Sequence, residues 1–487
     1  MNKPLRRIAI FCGLLILTLL IRDNWLQYVK ADTLASDKDN RRVLIARYST
    51  ERGNIIVDGK PITGSTKTKG TDLKYKRTWK DGPMWAPVTG YSSQVVGASQ
   101  IENLEDGILS GSDDRLFFRR TLDMITGKPK EGGNVVTTLD AAAQKAAYDG
   151  LKNRGKGAVA AIEPSTGKIL ALASTPSYDP SSFAGSLNED GKTFSRLDKD
   201  KDKPLVNRAL RETYPPGSTF KLVTAAAALE HGLYSGADER TDSPLPWTMP
   251  DTTTELKNEG NLPCKNATLR EALRVSCNTV FGKVGSDLGK DKMRETAEKF
   301  GFNEEQFIPV RASASNFDKE MNRPQTALSA IGQYDTAATP LQMAMVGAAI
   351  ANDGALMEPY MVDELKAPNL DTIEKHEPKE MSRPLSKENA QKLQSMMETV
   401  VNSGTGTAAR IPGVTVGGKT GTAQNGVNNE GTPYAWFVSY AKTSSGTPVA
   451  VAVVVEDSDA DRGDISGGGL AAPIAKSVME AVINGKK

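Results

Sequence analysis

The sequence predicts an α+β fold held to a membrane by one N-terminal helix, and three observations carry that expectation. An apolar run opens the chain. Strand-like segments gather at both ends of the region from about 156 to 455, around a middle dominated by helical patterns, so the sheet must pair distant pieces of chain. The 487 residues are 38% hydrophobic and 25% charged, ordinary globular composition with room for two to four domains. Lysine and arginine number 61 against 59 aspartates and glutamates, a net +2 that gives no reason to expect a nucleic-acid partner. There are two histidines, His231 and His376, and three cysteines. A zinc site draws three or four ligands from such residues and carboxylates, so a histidine- or cysteine-rich metal centre is excluded and no metal or cofactor is expected. Any serine nucleophile in this chain should rely on a base other than histidine.

Lys3, Arg6 and Arg7 precede the apolar run 8–21, which alone would suit the core of a signal peptide. The residues that follow are Arg22-Asp23-Asn24-Trp25, with no small-residue cleavage site. Continued through Trp25, Tyr28 and Val29, the segment approaches the ~20 residues needed to span a bilayer. Arg22 can snorkel, and Trp25 and Tyr28 suit the interface. The expectation is a cytoplasmic tail over 1–7, an uncleaved anchor over 8–29 and an extracytoplasmic remainder.

Residues 30–150 form a first, polar region, in which Ile55-Ile56-Val57 and Asp58-Gly59 read as a strand and a hairpin turn. Asn134-Val135-Val136-Thr137-Thr138 reads as another strand, and Asp140 can cap the alanine-rich helix after it. A second domain is expected over 151–487. It opens with strands 158–162 and 169–173, joined by the turn Glu163-Pro164-Ser165-Thr166-Gly167-Lys168. Helical patterns run from 218 to about 400. Strands return at 414–416, 435–440 and 449–455, the last so continuously apolar that it should be central. A final helix follows Pro473.

Three short motifs bear chemistry. Ser218-Thr219-Phe220-Lys221 follows Tyr214-Pro215-Pro216-Gly217, so Ser218 stands at a helix start, and the i, i+3 spacing brings the Lys221 amine toward the Ser218 hydroxyl. Lys221 can take a proton only as a free amine; burial, the positive helix end and a second lysine all favour that form. Ser165-Thr166-Gly167-Lys168 repeats the spacing in a turn, where no helical face is shared. Ser276-Cys277-Asn278 ends a helix that begins with the capping box Thr268-Leu269-Arg270-Glu271. Gly417-Gly418-Lys419-Thr420-Gly421-Thr422 continues the strand at 414–416 as an edge strand would, its glycines leaving room for a ligand backbone. Taken singly, these are also an ordinary N-cap, a turn and a glycine-rich loop.

In order, S-x-x-K, S-x-N and K-T-G form the set found in penicillin-binding proteins and class A β-lactamases. The chain resembles the penicillin-binding proteins, specifically the class B-like transpeptidases. The likeness extends to Ala161-Ile162-Glu163-Pro164, Tyr178-Asp179-Pro180, Asn207-Arg208-Ala209, Gly332-Gln333, Thr339-Pro340-Leu341-Gln342, Ala435-Trp436-Phe437-Val438 and Ala471-Ala472-Pro473. Arg52-Gly53-Asn54-Ile55 resembles the first motif of that family's pedestal, so the likeness covers about 50 to 480. It implies a five-stranded antiparallel sheet with helices on both faces, on an elongated N-terminal pedestal. It also implies roles: Ser218 the acylated nucleophile, Lys221 its base, and Ser276 with Lys419 the proton relay to the leaving group. Asn278, Thr420, Gly421 and Thr422 would hold substrate, with the backbone N–H groups of Ser218 and Thr422 as oxyanion hole. Both histidines are read as structural. Cys277 departs from the aspartate many relatives carry, at a position expected to face away from substrate.

The implied reaction is cross-linking of peptidoglycan stem peptides at D-alanyl-D-alanine, inhibited by β-lactams. Implied partners are the membrane machinery of division or elongation, such as a lipid II polymerase. Rivals are a D,D-carboxypeptidase or β-lactamase on the same scaffold and a non-catalytic wall-synthesis scaffold. A β-lactam sensor would need more spans, and a bifunctional enzyme a glycosyltransferase domain that 120 residues cannot hold. With Cys12 in the anchor, Cys264 and Cys277 are an even pair in an oxidising compartment, and a disulfide between them is expected.

Overall fold

The computed structural model describes residues 3–35, 40–69, 72–127, 130–426, 430–456 and 465–485. Its first element is an unbroken helix, Lys3–Tyr28, none of whose residues is buried against the rest of the chain. It is the one described helix long and apolar enough to cross a membrane. At 1.5 Å per residue it runs about 39 Å, more than a hydrocarbon core. Met1 and Asn2 of the expected tail lie outside the described residues.

The N-terminal region is built on a five-stranded sheet ordered Thr372–Lys375, Val362–Lys366, Asn134–Thr137, Ile55–Val57, Lys60–Pro61. Ile55 and Ile56 pair in parallel with Val135 and Val136, and the Asp58-Gly59 hairpin forms as its residues suggest. Two of the five strands come from beyond residue 360, where helical patterns were expected. Val362-Asp363-Glu364-Leu365-Lys366 carries too many charges to announce a strand. It becomes one because its backbone completes the edge offered by Asn134–Thr137. The polypeptide thus returns to the N-terminal sheet from beyond residue 360. Arg52 lies in a buried charge network. Its guanidinium binds Glu102 at 2.7 Å and Asp106 at 2.6 Å, and Arg77 binds the other oxygen of Glu102 at 2.6 Å.

The second sheet has the order Thr415–Ala423, Tyr434–Thr443, Gly446–Glu456, Lys156–Ile162, Ile169–Thr175, antiparallel throughout. Gly446–Glu456 is the middle strand, and both of its faces are covered. Ala450, Ala452 and Val454 pack with the helices Lys221–Glu230, Pro340–Ala351 and Lys387–Ser403. Val449, Val451, Val453 and Val455 pack on the other side with Ala141–Leu151 and Ala472–Gly485. A strand buried on two sides has no polar alternation to keep, which is why it reads as one apolar run. Asp140 caps the Ala141–Leu151 helix by accepting from the Ala143 N–H.

Two local expectations change in the structure. Thr268 caps the Leu269–Arg274 helix, but Glu271 turns its carboxylate to Arg274 at 2.6 and 2.7 Å, a charged donor that outcompetes a backbone N–H. The glycines of the K-T-G strand make room for the neighbouring strand. A Cβ on Gly417 would stand 2.4 Å from the Tyr440 ring, and one on Gly418 2.6 Å from Phe437.

Candidate active site

The turn bearing Ser218 is held from three sides before its helix begins. Tyr214 exchanges backbone hydrogen bonds with Ala338, and Trp436 Nε1 donates to the Pro215 carbonyl at 3.0 Å. Gly217, at φ +53°, donates its N–H to the Gly332 carbonyl at 3.0 Å. Residues Gly217–Phe220 form a 3₁₀ turn that passes into the helix Lys221–Glu230. In a 3₁₀ turn i and i+3 eclipse, so Ser218 and Lys221 lie along one edge.

Lys221 is fully buried. Its amine donates to the Ser276 carbonyl at 2.8 Å, to Ser276 Oγ at 3.2 Å and to Asn278 Oδ1 at 2.7 Å. Among the described residues it makes no hydrogen bond to the Ser218 hydroxyl, the contact the spacing suggested. The amine is instead drawn to the S-x-N turn, where Ser276 adopts φ +65° and aims both its carbonyl and its hydroxyl at one point. Burial, reinforced by the positive charge of Lys419, holds the Lys221 amine well below the usual lysine range.

Lys419 comes from the edge strand Thr415–Ala423 and is likewise fully buried. It donates to Ser276 Oγ at 2.9 Å and to the Thr420 carbonyl at 2.9 Å. Burial lowers it to about 7, against a weaker opposing pull from Glu259. The Ser276 hydroxyl therefore bridges two desolvated amines, and no carboxylate or histidine hydrogen-bonds either amine among the described residues. The edge strand meets the serine turn closely: a Cβ on Gly421 would sit 2.9 Å from the Pro216 carbonyl, and one on Gly217 3.1 Å from Ala423. Thr420 is fixed by a 2.6 Å hydroxyl contact with Thr405, and Thr422 stands partly exposed beside it.

Ser218, Lys221, Ser276, Asn278, Lys419, Thr420, Gly421 and Thr422 thus share one locality. Cys264 and Cys277 are joined by a disulfide, their Cα atoms 5.8 Å apart. His231 caps the far end of the Lys221–Glu230 helix with Nε2 3.2 Å from Thr296 Oγ1, and His376 stacks on Tyr360 at 3.7 Å. Neither contacts the cluster. Thr405, Asn258 and Glu259 were not singled out from sequence; no spacing or composition marks them.

Residues 157–480 match the family model described as the penicillin binding protein transpeptidase domain, and residues 52–135 match the penicillin binding protein A dimerisation domain. The chain is 40% identical to peptidoglycan D,D-transpeptidase PbpA of Mycolicibacterium smegmatis, over 99% of each chain. It is similar to the penicillin-binding protein A structure from M. tuberculosis solved as a ceftriaxone acyl-enzyme. The TM-score is 0.86 at 39% identity, covering 90% of this chain and 100% of that one. The penicillin G acyl-enzyme of the same protein matches with a TM-score of 0.83 at 39% identity, over 89% and 99%. The chain belongs to the penicillin-binding protein transpeptidase family.

Proposed function

We propose that this protein is a membrane-anchored serine D,D-transpeptidase that cross-links peptidoglycan stem peptides and is acylated by β-lactams. The observation that carries the reading is the Ser276 hydroxyl joining two buried amines, one of them on Lys221, a single turn along the chain from Ser218. An amine held below its usual range is free to accept a proton near neutral pH, and a serine needs that help to become a nucleophile. Lys221 takes the Ser218 proton as Ser218 Oγ bonds to the penultimate D-alanine carbonyl. The oxyanion is met by the N–H groups of Ser218 and Thr422. Lys221 returns the proton through Ser276, poised by Lys419, to the departing D-alanine nitrogen as the peptide C–N bond breaks. An amine of a neighbouring stem then attacks the ester, loses its proton along the same path, and releases Ser218. Asn278, Thr420, Gly421 and Thr422 hold the peptide beside the edge strand. A β-lactam opens on Ser218 by the first half of this sequence.

The relatives bearing the name peptidoglycan D,D-transpeptidase, and the acyl-enzyme structures, support the reading. In the same proposal Lys3, Arg6 and Arg7 keep the N-terminus in the cytoplasm and the catalytic region lies outside. The pedestal spans 30–150, lent two strands from 362–375, and the transpeptidase domain takes the rest of 151–487. An anchored enzyme with a pedestal suits membrane partners of division or elongation, a lipid II polymerase among them. The test is to supply the full-length protein with uncross-linked glycan carrying pentapeptide stems. D-alanine released together with dimeric cross-linked stems supports transpeptidation. D-alanine released with tetrapeptide monomers alone would make the protein a carboxypeptidase.

A further inference from the structure

The helix Asn278–Lys299 begins inside the active site, yet its N-cap residue cannot cap it. Cys277 makes no side-chain cap, and its sulfur is committed to Cys264. The first N–H groups of a helix need acceptors, above all where the helix end is enclosed. They find one on a separate segment. Asn258 Oδ1 accepts the N–H of Asn278 at 2.7 Å and of Thr279 at 3.0 Å, while Asn258 Nδ2 donates to Thr279 Oγ1 at 3.1 Å. One residue earlier, the Lys257 carbonyl accepts from Asn278 Nδ2 at 2.9 Å. With its Nδ2 fixed there, Asn278 can present only Oδ1 to Lys221, at 2.7 Å. Lys257 and Asn258 therefore set both the backbone position and the amide orientation of the residue against which Lys221 is aligned.

We propose that Asn258 is a positioning residue of the acyl-transfer site, capping the Asn278–Lys299 helix from outside it so that Asn278 holds the Lys221 amine beside the Ser276 hydroxyl. The inference rests on the reading of Ser218 as the acylated residue. A side chain of this kind acts on the rate of bond formation, because geometry among reacting groups, more than affinity, is what it controls. The segment carrying Asn258 is otherwise fastened by the pairing of Glu255 and Leu256 with Thr248 and Trp247, and by packing. Leu256 lies over Gly282, where an added Cβ would stand 2.5 Å from Leu256 Cδ2. That contact allows packing and positioning to be separated experimentally.

The test compares Asn258→Ala, Asn258→Asp and Leu256→Ala in the full-length protein. It measures the limiting rate of Ser218 acylation by penicillin G, the apparent dissociation constant of the preceding complex, and thermal stability. Asn258→Ala should lower the limiting rate about 10–100-fold and leave the dissociation constant within about threefold. Asn258→Asp, which keeps an acceptor for both N–H groups, should recover the rate to within about threefold of wild type. Leu256→Ala should lower the melting temperature with little change in rate. The proposal is overturned if Asn258→Ala acylates at the wild-type rate, if aspartate does no better than alanine, or if Leu256→Ala slows acylation as much. A wild-type chain that forms no Ser218 adduct would instead overturn the functional reading, and the role of Asn258 with it.

Discussion

The spacing Ser-x-x-Lys occurs at 218–221, at 165–168 and, inside the strand Tyr434–Thr443, at 439–442; the first two copies stand in opposite surroundings. At the first, a 3₁₀ turn runs into a buried helix, and the lysine amine is enclosed among three neutral oxygens with a second lysine nearby. At the second, Glu163 and Lys168 close a tight turn between strands, Ser165 faces solvent, and Lys168 reaches Asp363 at 3.3 Å with about a third of its side chain exposed. A carboxylate partner keeps an amine charged; burial among neutral dipoles beside another cation discharges it. The same two residue types at the same interval are thus a base and its nucleophile in one place and a surface ion pair in the other. Environment makes the difference.

The two serines should differ most. Ser218→Ala should abolish covalent labelling by penicillin, and Ser165→Ala should leave it unchanged, as read by the mass of the intact protein. At the lysines, Lys221→Ala should slow acylation by about 10²–10⁴-fold with the fold retained in circular dichroism. Lys168→Ala should leave the rate intact and shift stability by no more than about 1 kcal/mol. A smaller effect should come from the charges around Lys221. Acylation needs neutral Lys221, so its rate should climb with pH through that residue's lowered pKa. Lys419 depresses the pKa, and Lys419→Met should move the climb to higher pH besides lowering the plateau. Glu259 acts the other way on both lysines, so Glu259→Gln should move the climb to lower pH. Only a modest effect on rate is expected at the disulfide. Cys264→Ser with Cys277→Ser should remove about 3 kcal/mol of stability, measured by denaturant unfolding, and slow acylation less than tenfold.

How far the site was legible follows the range of the forces involved. Local geometry was readable: Pro216-Gly217 before an alanine-rich run announces where Ser218 stands, and an uninterrupted apolar strand at 449–455 announces a sheet centre. Long-range pairing was not. Val362–Lys366 is charged enough to pass for helix or loop and is a strand only because Asn134–Thr137 leaves an edge to fill. The reach of a side chain was also hidden. The Lys221 amine turns to Ser276 and Asn278 because an unusual backbone angle at Ser276 points two oxygens at it, and no spacing rule encodes φ. Asn258 escaped notice for a similar reason: its value lies in a partner 20 residues away.

Surroundings select Ser218 over Ser165, and peptide-level mass spectrometry of the penicillin-treated, full-length protein can show which of the two is acylated. A single penicilloyl adduct is expected, on the peptide containing Ser218, persisting for minutes or longer. An adduct on the peptide containing Ser165, or an intact protein that regenerates rapidly while hydrolysed penicillin accumulates, would contradict it.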